Sequence, residues 1–142
     1  MSSHTSLAAG GERPNILYVF TDQQSHFAMS NAGNADLRTP AMDRLAAEGA
    51  AFERAYCPFP LCTPARASMF SGLMPHQCGV MRNGEAIRED VRERELGRWL
   101  GAAGYHCVYG GKWHVPQIAM PAENDHGFEV LCGFGDNRLT DA

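Results

Sequence analysis

Three short clusters of polar residues carry side chains that could act together on a tetrahedral anion. They are a thiol with an arginine four residues on, an Asp-Gln pair and a Lys-Trp-His tripeptide: Cys62 and Arg66, Asp22 and Gln23, and residues 112–114. An activated thiol is a nucleophile, arginine and lysine bind oxyanions, and histidine exchanges protons near neutral pH. Asp22 adds an oxygen ligand that suits a hard divalent cation. Together the clusters indicate chemistry on a sulfate or phosphate group.

The segment after Cys62 has the pattern of a short helix. Thr63 is a good N-cap residue, Pro64 suits the first helical position, and Gly72 marks the expected end. A helix start offers unpaired N–H groups and the positive end of the helix dipole, and both favour a bound anion. Arg66 adds a charge that can bind two oxygens of one anion. We therefore expect Cys62 to be the catalytic residue of an anion site.

Apolar runs alternate with helical patterns around these clusters. The patterns predict three strands, at 15–20, 51–56 and 105–109. They also predict three helices, at 40–48, 64–71 and 91–103. From Pro116 onward, turn-forming residues dominate and the chain is expected to be mostly loop. This order predicts an α/β fold with a largely parallel sheet and flanking helices.

The polar clusters follow or adjoin the apolar segments of this predicted sheet. Loops at the carboxyl ends of parallel strands meet at one crevice, so Asp22, Cys62 and Lys112 are expected to lie close together. The helix at 91–103 is expected to turn Leu96, Trp99 and Leu100 toward the core. Trp113 is interpreted as a packing residue.

Composition places the chain among globular proteins with one hydrophobic core. Its 142 residues are 44% hydrophobic and 20% charged, with a net charge of −4 and no cluster of basic residues. We therefore expect no nucleic-acid partner. Residues 1–12 lack a secretory signal and are expected to be a disordered leader, and no apolar run has membrane-spanning length. Five cysteines without a CxxC pair favour reduced thiols and a cytoplasmic location; the oligomeric state stays open.

The pattern Cys-x-Pro-x-Arg at 62–66 resembles the sulfatase family of the alkaline-phosphatase-like superfamily. The segment GGKWHV at 110–115 is similar to the family's Gly-Lys-Trp-His-Leu-Gly signature, and Asp22-Gln23 to its metal-binding opening. A third match is the helix TPAMDRLAAEGAAF, which begins at Thr39. The resemblance extends over about residues 13–135 and implies hydrolysis of a small-molecule sulfate ester.

The resemblance also implies a role for each matching residue. A formylglycine-generating enzyme would oxidise Cys62 to formylglycine, whose hydrated aldehyde attacks sulfur. Asp22 and the modified Cys62 would bind a divalent cation, Ca²⁺ in the first place, with Mg²⁺ or Mn²⁺ as alternatives. Gln23 stands where many members have a second aspartate and is the weakest of the implied ligands. Arg66 would anchor formylglycine, while Lys112 and His114 would orient the sulfate.

Two other interpretations stay open. A phosphonate monoester or phosphodiester hydrolase of the same superfamily shares the Asp-Gln opening and often formylglycine. The second metal pair that would distinguish it is not assigned to Asp125-His126 or Asp136-Asn137, because no apolar strand precedes either pair. Since the resemblance covers about the first third of a sulfatase, residues 13–142 are expected to be the N-terminal part of a catalytic domain. By itself that part is expected to be inactive, and a catalytically inactive remnant is the third interpretation.

Overall fold

A computed structural model describes residues 13–115 and 126–134 of the chain. Its helices are α1 (Pro40–Glu48), α2 (Cys62–Ser71), α3 (Pro75–Cys78) and α4 (Leu96–Ala102), with 3₁₀ helices at Ser30–Ala32 and Glu89–Arg94. Its strands are β1 (Val108–Lys112) and β2 (Glu129–Phe134). The predicted leader at 1–12 lies outside the described residues. So do Asp125, of the unassigned pair Asp125-His126, and both residues of Asp136-Asn137. Within these limits no helix is both long and apolar enough to cross a membrane.

Strands β1 and β2 pair in parallel, which confirms the α/β prediction. Val108 lies opposite Glu129 and Lys112 opposite Phe134, with a shift in register after Tyr109. The prediction of mostly loop after Pro116 was wrong for β2. Its short apolar segment, Val130 to Cys132, forms a ladder because β1 supplies the hydrogen-bonding partner.

The apolar run at 15–20 was predicted as a buried strand, and that prediction was wrong for the described structure. The run has no regular secondary structure, and Leu17 and Val19 are 89% and 76% exposed. A groove of about 920 Å³ lies between the run and β1. An apolar segment becomes a strand only where another strand pairs with its backbone, and no described strand does so here. The predicted strand at 51–56 is also absent, for the same reason.

An aromatic cluster joins α2 to the two strands. The Phe70 ring stacks on Trp113 with centroids 4.4 Å apart, and Tyr109 meets Trp113 edge-on at 4.9 Å. Phe128 and Phe20 pack against the same rings. Trp113 is buried, as predicted for a packing residue. The core therefore lies directly beneath the segment that carries Lys112 and His114.

Helix α4 differs from the predicted amphipathic helix in both length and orientation. The segment 91–103 divides into a 3₁₀ helix and α4, and Trp99 is 69% exposed. Gly97 and the buried Glu95 face the core, where the Glu95 carboxylate hydrogen-bonds the imidazole of His126. Because the backbone of α4 at Gly97 packs so closely on residues 126–128, Gly97 and the hydrogen bond between Glu95 and His126 occupy the buried side of this segment, and Trp99 is left exposed.

Gly127 is the tightest point of this contact. It has a φ of +79°, and an added Cβ would lie 2.2 Å from the Arg98 nitrogen. Gly84 has a similar φ of +89° but open space where its Cβ would be. The two positions separate backbone strain from steric clash.

We expect Gly127→Ala to lower the free energy of unfolding by about 3 kcal/mol or more, because strain and clash add. Gly84→Ala carries strain alone and is expected to cost about 1 kcal/mol. Chemical denaturation of the complete protein measures both. Equal losses in the two variants would contradict the close approach of α4 and residues 126–128.

Candidate active site

The three polar clusters meet at one site, as expected, although only Lys112 lies at the carboxyl end of a described strand. Lys112 Nζ lies 2.9 Å from Asp22 Oδ2 and 3.6 Å from Cys62 Sγ. Arg66 Nη2 donates to Asp22 Oδ1 at 3.1 Å. Segments separated by up to 90 residues are thus joined around the partly exposed thiol of Cys62.

Arg66 has a different position from the one expected of an anion-binding arginine. Its side chain is only 7% exposed, and its guanidinium lies over the Phe20 ring, 5.1 Å from the centroid. Nη2 donates to Asp22, and Nη1 donates to the backbone carbonyl of Lys112. Since each terminal nitrogen donates to a protein acceptor, Arg66 connects the other two clusters, and one N–H of each terminal nitrogen is no longer available to a ligand.

The start of α2 also differs from the sequence prediction. The helix begins at Cys62, and Leu61, rather than Thr63, occupies the N-cap position. Asn83 Oδ1 accepts the Thr63 N–H at 3.0 Å, the Leu61 N–H donates to the Phe59 carbonyl, and Pro64 has no N–H. The backbone therefore leaves at most the Cys62 N–H for an anion. The attraction of this site for an anion therefore comes mainly from side-chain charges, above all that of Lys112.

Two residues at the site were missed by sequence reasoning. Asn83 was given no role, yet its Oδ1 accepts the backbone N–H of Thr63, next to Cys62. Tyr109 was interpreted as a strand residue, yet its hydroxyl donates to the Lys112 carbonyl at 2.5 Å. Neither residue belongs to a motif with known chemistry, so only their tertiary contacts reveal them.

His114 follows the end of β1 in the left-handed region, with a φ of +54°. This conformation is uncommon for a residue with a Cβ and requires support from its surroundings. Thr63 Oγ1 donates to the His114 carbonyl at 2.9 Å. The Nδ1 atom of His114 is buried and has no hydrogen-bond partner among residues 13–115 and 126–134.

The charges at the site reinforce one another. The hydrogen bond from Lys112, followed by that from Arg66, holds the pKa of Asp22 below its usual value of 3.8. The hydrogen bond to Asp22 in turn raises the pKa of Lys112 above 10.5. Asp22 and Lys112 are therefore charged at neutral pH, and together with the Arg66 guanidinium they leave an excess of one positive charge beside Cys62. This excess favours a negatively charged substrate.

The donor set fits a divalent cation only in part. In the portion of the chain that the structure describes, no three His, Cys, Asp or Glu side chains are grouped closely enough to hold a metal. Asp22 is 43% exposed, and each of its oxygens retains a second lone pair beyond its one hydrogen bond. Asp22 can thus give one ligand, but a hard cation requires about six oxygens.

Comparison with known proteins gives a consistent result. A family model described as Sulfatase matches residues 14–141. The chain is 41% identical over 104 residues to the uncharacterized sulfatase YidJ of Escherichia coli (strain K12), an alignment covering 73% of the chain and 20% of that protein. It is 34% identical over 138 residues to arylsulfatase A of Bos taurus, covering 90% and 27%.

A solved structure shares the fold. The crystal structure of yidJ from Bacteroides fragilis, a sulfatase candidate, matches with a TM-score of 0.68 and 28% identity, over 82% of this chain and 27% of that one. The chain thus spans only 20% to 27% of the length of these proteins. Its α/β fold corresponds to part of the alkaline-phosphatase-like fold.

Replacing Asp22 should have an effect on stability that depends on pH. Because the pKa of Asp22 is lowered, its ion pairs stabilise the protein above pH 3.8, and this contribution is lost as the pH falls through the lowered value. We expect Asp22→Asn to lower the free energy of unfolding by about 1 kcal/mol at neutral pH, a modest cost because the carboxylate is half exposed.

Denaturation of the complete protein in a chelating buffer, at neutral pH and at a pH below the lowered pKa of Asp22, measures this difference. The loss should disappear in acid. A loss of the same size at both values would show that the carboxylate charge is not what matters.

Proposed function

Because this chain belongs to the sulfatase family, we propose that the complete protein hydrolyses a sulfate ester at Cys62. The observation that carries the proposal is the position of Lys112 Nζ, 3.6 Å from Cys62 Sγ and bound to Asp22 at 2.9 Å. A protonated amine held this close to the reacting atom is suited to an anionic group. A small-molecule sulfate ester is the proposed substrate.

Cys62 is proposed to act after oxidation to formylglycine by a formylglycine-generating enzyme. In that form its hydrated aldehyde supplies one hydroxyl to attack sulfur and a second whose deprotonation expels sulfate. Its position at the first residue of α2 supports this role, because the side chain is partly exposed while Thr63 and Pro64 behind it are buried. The packing of α2 thus fixes the position of the reacting group at residue 62.

The neighbouring side chains have separate roles in the proposal. Lys112 neutralises a sulfate oxygen, and the excess positive charge at the site draws the ester to Cys62. Arg66 holds Asp22 and the Lys112 backbone in place, so its effect on the formylglycine is through position and charge. His114 exchanges protons with the hydroxyl groups at residue 62.

A divalent cation is proposed beside Asp22, most simply Ca²⁺, with Mg²⁺ or Mn²⁺ as alternatives. Asp22 and the modified Cys62 would be ligands; Gln23 is exposed and could add its side-chain carbonyl. The other ligands would lie outside the described residues. When bound, the cation would polarise the sulfate group and increase its reactivity.

The sulfate assignment is favoured over a phosphonate monoester or phosphodiester because the relatives above are named as sulfatases. The isolated 142-residue chain is proposed to be inactive, since it spans at most about a quarter of their length. A cytoplasmic location also stays a prediction; the thiols of Cys57, Cys62, Cys78 and Cys107 are free, which supports it.

The first test removes the nucleophile. In the complete protein, Cys62→Ala should lower turnover of an aryl sulfate by at least about 10³-fold, because no aldehyde can form. Cys57→Ala is the matched control, an exposed thiol five residues earlier, and should leave turnover unchanged.

Peptide mass across 55–82 shows whether residue 62 is thiol or aldehyde. Activity retained in Cys62→Ala would refute the assignment, and faster turnover of an aryl phosphonate would favour the second interpretation.

The second test concerns the cation. Adding Ca²⁺ to the chelated complete protein should raise its melting temperature, and Asp22→Asn should weaken that response because a ligand is lost. Lys112→Gln breaks the same ion pair but keeps the carboxylate, so it should preserve the response. If Asp22→Asn and Lys112→Gln respond alike, Asp22 is not a ligand.

A further inference from the structure

One face of α2 contacts three consecutive residues of the chain, 112 to 114. Its residues 63, 66 and 70 are spaced by three and four positions and therefore share a side of the helix. Arg66 donates to the Lys112 carbonyl, Phe70 stacks on Trp113, and Thr63 donates to the His114 carbonyl. The last of these contacts is polar, lies next to Cys62 and has no role in the mechanism above.

We propose that Thr63 is a positioning residue for His114. It is fully buried, with 0% exposure, and its hydroxyl donates to the His114 carbonyl at 2.9 Å. Its backbone N–H is bound at the same time by Asn83. A β-branched side chain in a helix has few rotamers, so a residue held in this way presents its hydroxyl in one direction.

The conformation of His114 shows why such support is required. With a φ of +54°, this residue occupies a region that side chains with a Cβ rarely adopt. That backbone conformation sets the direction of the His114 carbonyl, and the Thr63 hydroxyl donates a hydrogen bond to this carbonyl. Losing the hydroxyl leaves an acceptor without its partner and removes a reason for His114 to stay left-handed.

The hydrogen bond also has a functional location. Thr63 directly follows Cys62, so one contact ties the backbone beside the nucleophile to the proton-exchanging residue 51 positions later. Thr63, in the first turn of α2, donates its hydroxyl hydrogen bond out of the helix, whereas Ser71, in the last turn, donates to Ala67 within the helix at 2.6 Å. Thr63 instead fixes the position of His114 relative to Cys62.

The test replaces Thr63 in the complete protein with isosteric and conservative residues. Thr63→Val removes the hydroxyl and keeps the shape, whereas Thr63→Ser keeps the hydroxyl. Ser71→Ala is the matched control, since it removes a buried, hydrogen-bonded hydroxyl from the same helix without touching residues 112–114. Turnover is expressed per formylglycine, counted by peptide mass, so that altered modification of Cys62 is corrected.

We expect Thr63→Val to lower kcat by about ten- to one hundred-fold with a smaller change in KM, because a reacting group is displaced. Thr63→Ser should restore most of the activity, and Ser71→Ala should keep it. The ring signals of His114 in NMR spectra should shift in Thr63→Val only, while those of His106, which precedes β1, should not shift in any variant. Equal activity of Thr63→Val and Thr63→Ser, or unchanged His114 signals in Thr63→Val, would overturn the proposal.

The kinetic part rests on the proposed function, but the NMR part does not. If the wild-type protein turned over no sulfate ester, yet the His114 signals shifted in Thr63→Val and returned in Thr63→Ser, the function would fail and the positioning contact would stand. If turnover were normal in every variant and the signals unchanged, the positioning role alone would fail.

Discussion

The rest of the site depends on the interactions of the Arg66 guanidinium. Within the described residues it donates both to Asp22 and to the Lys112 carbonyl, and its flat face lies on Phe20. A buried charge of this kind is stable only when acceptors surround it. The requirement to satisfy Arg66 therefore brings together the three chain segments that carry the candidate chemistry.

The aromatic core explains why these polar contacts can be so well defined. The rings of Phe70, Trp113 and Tyr109 pack into one layer beneath the backbone that carries Lys112 and His114. Tyr109 adds its hydroxyl to the Lys112 carbonyl, so the same side chain contributes to packing and to the polar site. The backbone there is held by α2 on one side and by the aromatic layer below, and the Lys112 side chain extends from it to Asp22 and Cys62.

The positive character of the site comes from side chains more than from the helix. At the start of α2, proline and Asn83 remove most of the N–H groups that could bind an anion. Lys112 compensates, and its hydrogen bond to Asp22 keeps it charged. Asp22 thus has one contribution that the structure displays, the orientation of Lys112, and a second that is proposed, the binding of a cation.

The motifs of the sequence were sufficient to identify the family, the α/β class and the convergence of Asp22, Cys62 and Lys112. The family and the fold class follow from local residue types; the convergence was expected from the rule that parallel strands end at one edge of a sheet, although only Lys112 of the three ends a described strand. The tertiary structure alone decided which groups bind which. It buried Arg66 against protein acceptors, moved the start of α2 to Cys62, and exposed Trp99 because α4 packs on residues 126–128. Among residues 13–115 and 126–134 it also left the apolar run at 15–20 without a pairing strand, since a strand depends on a partner elsewhere in the fold and hydrophobic pattern alone does not provide one.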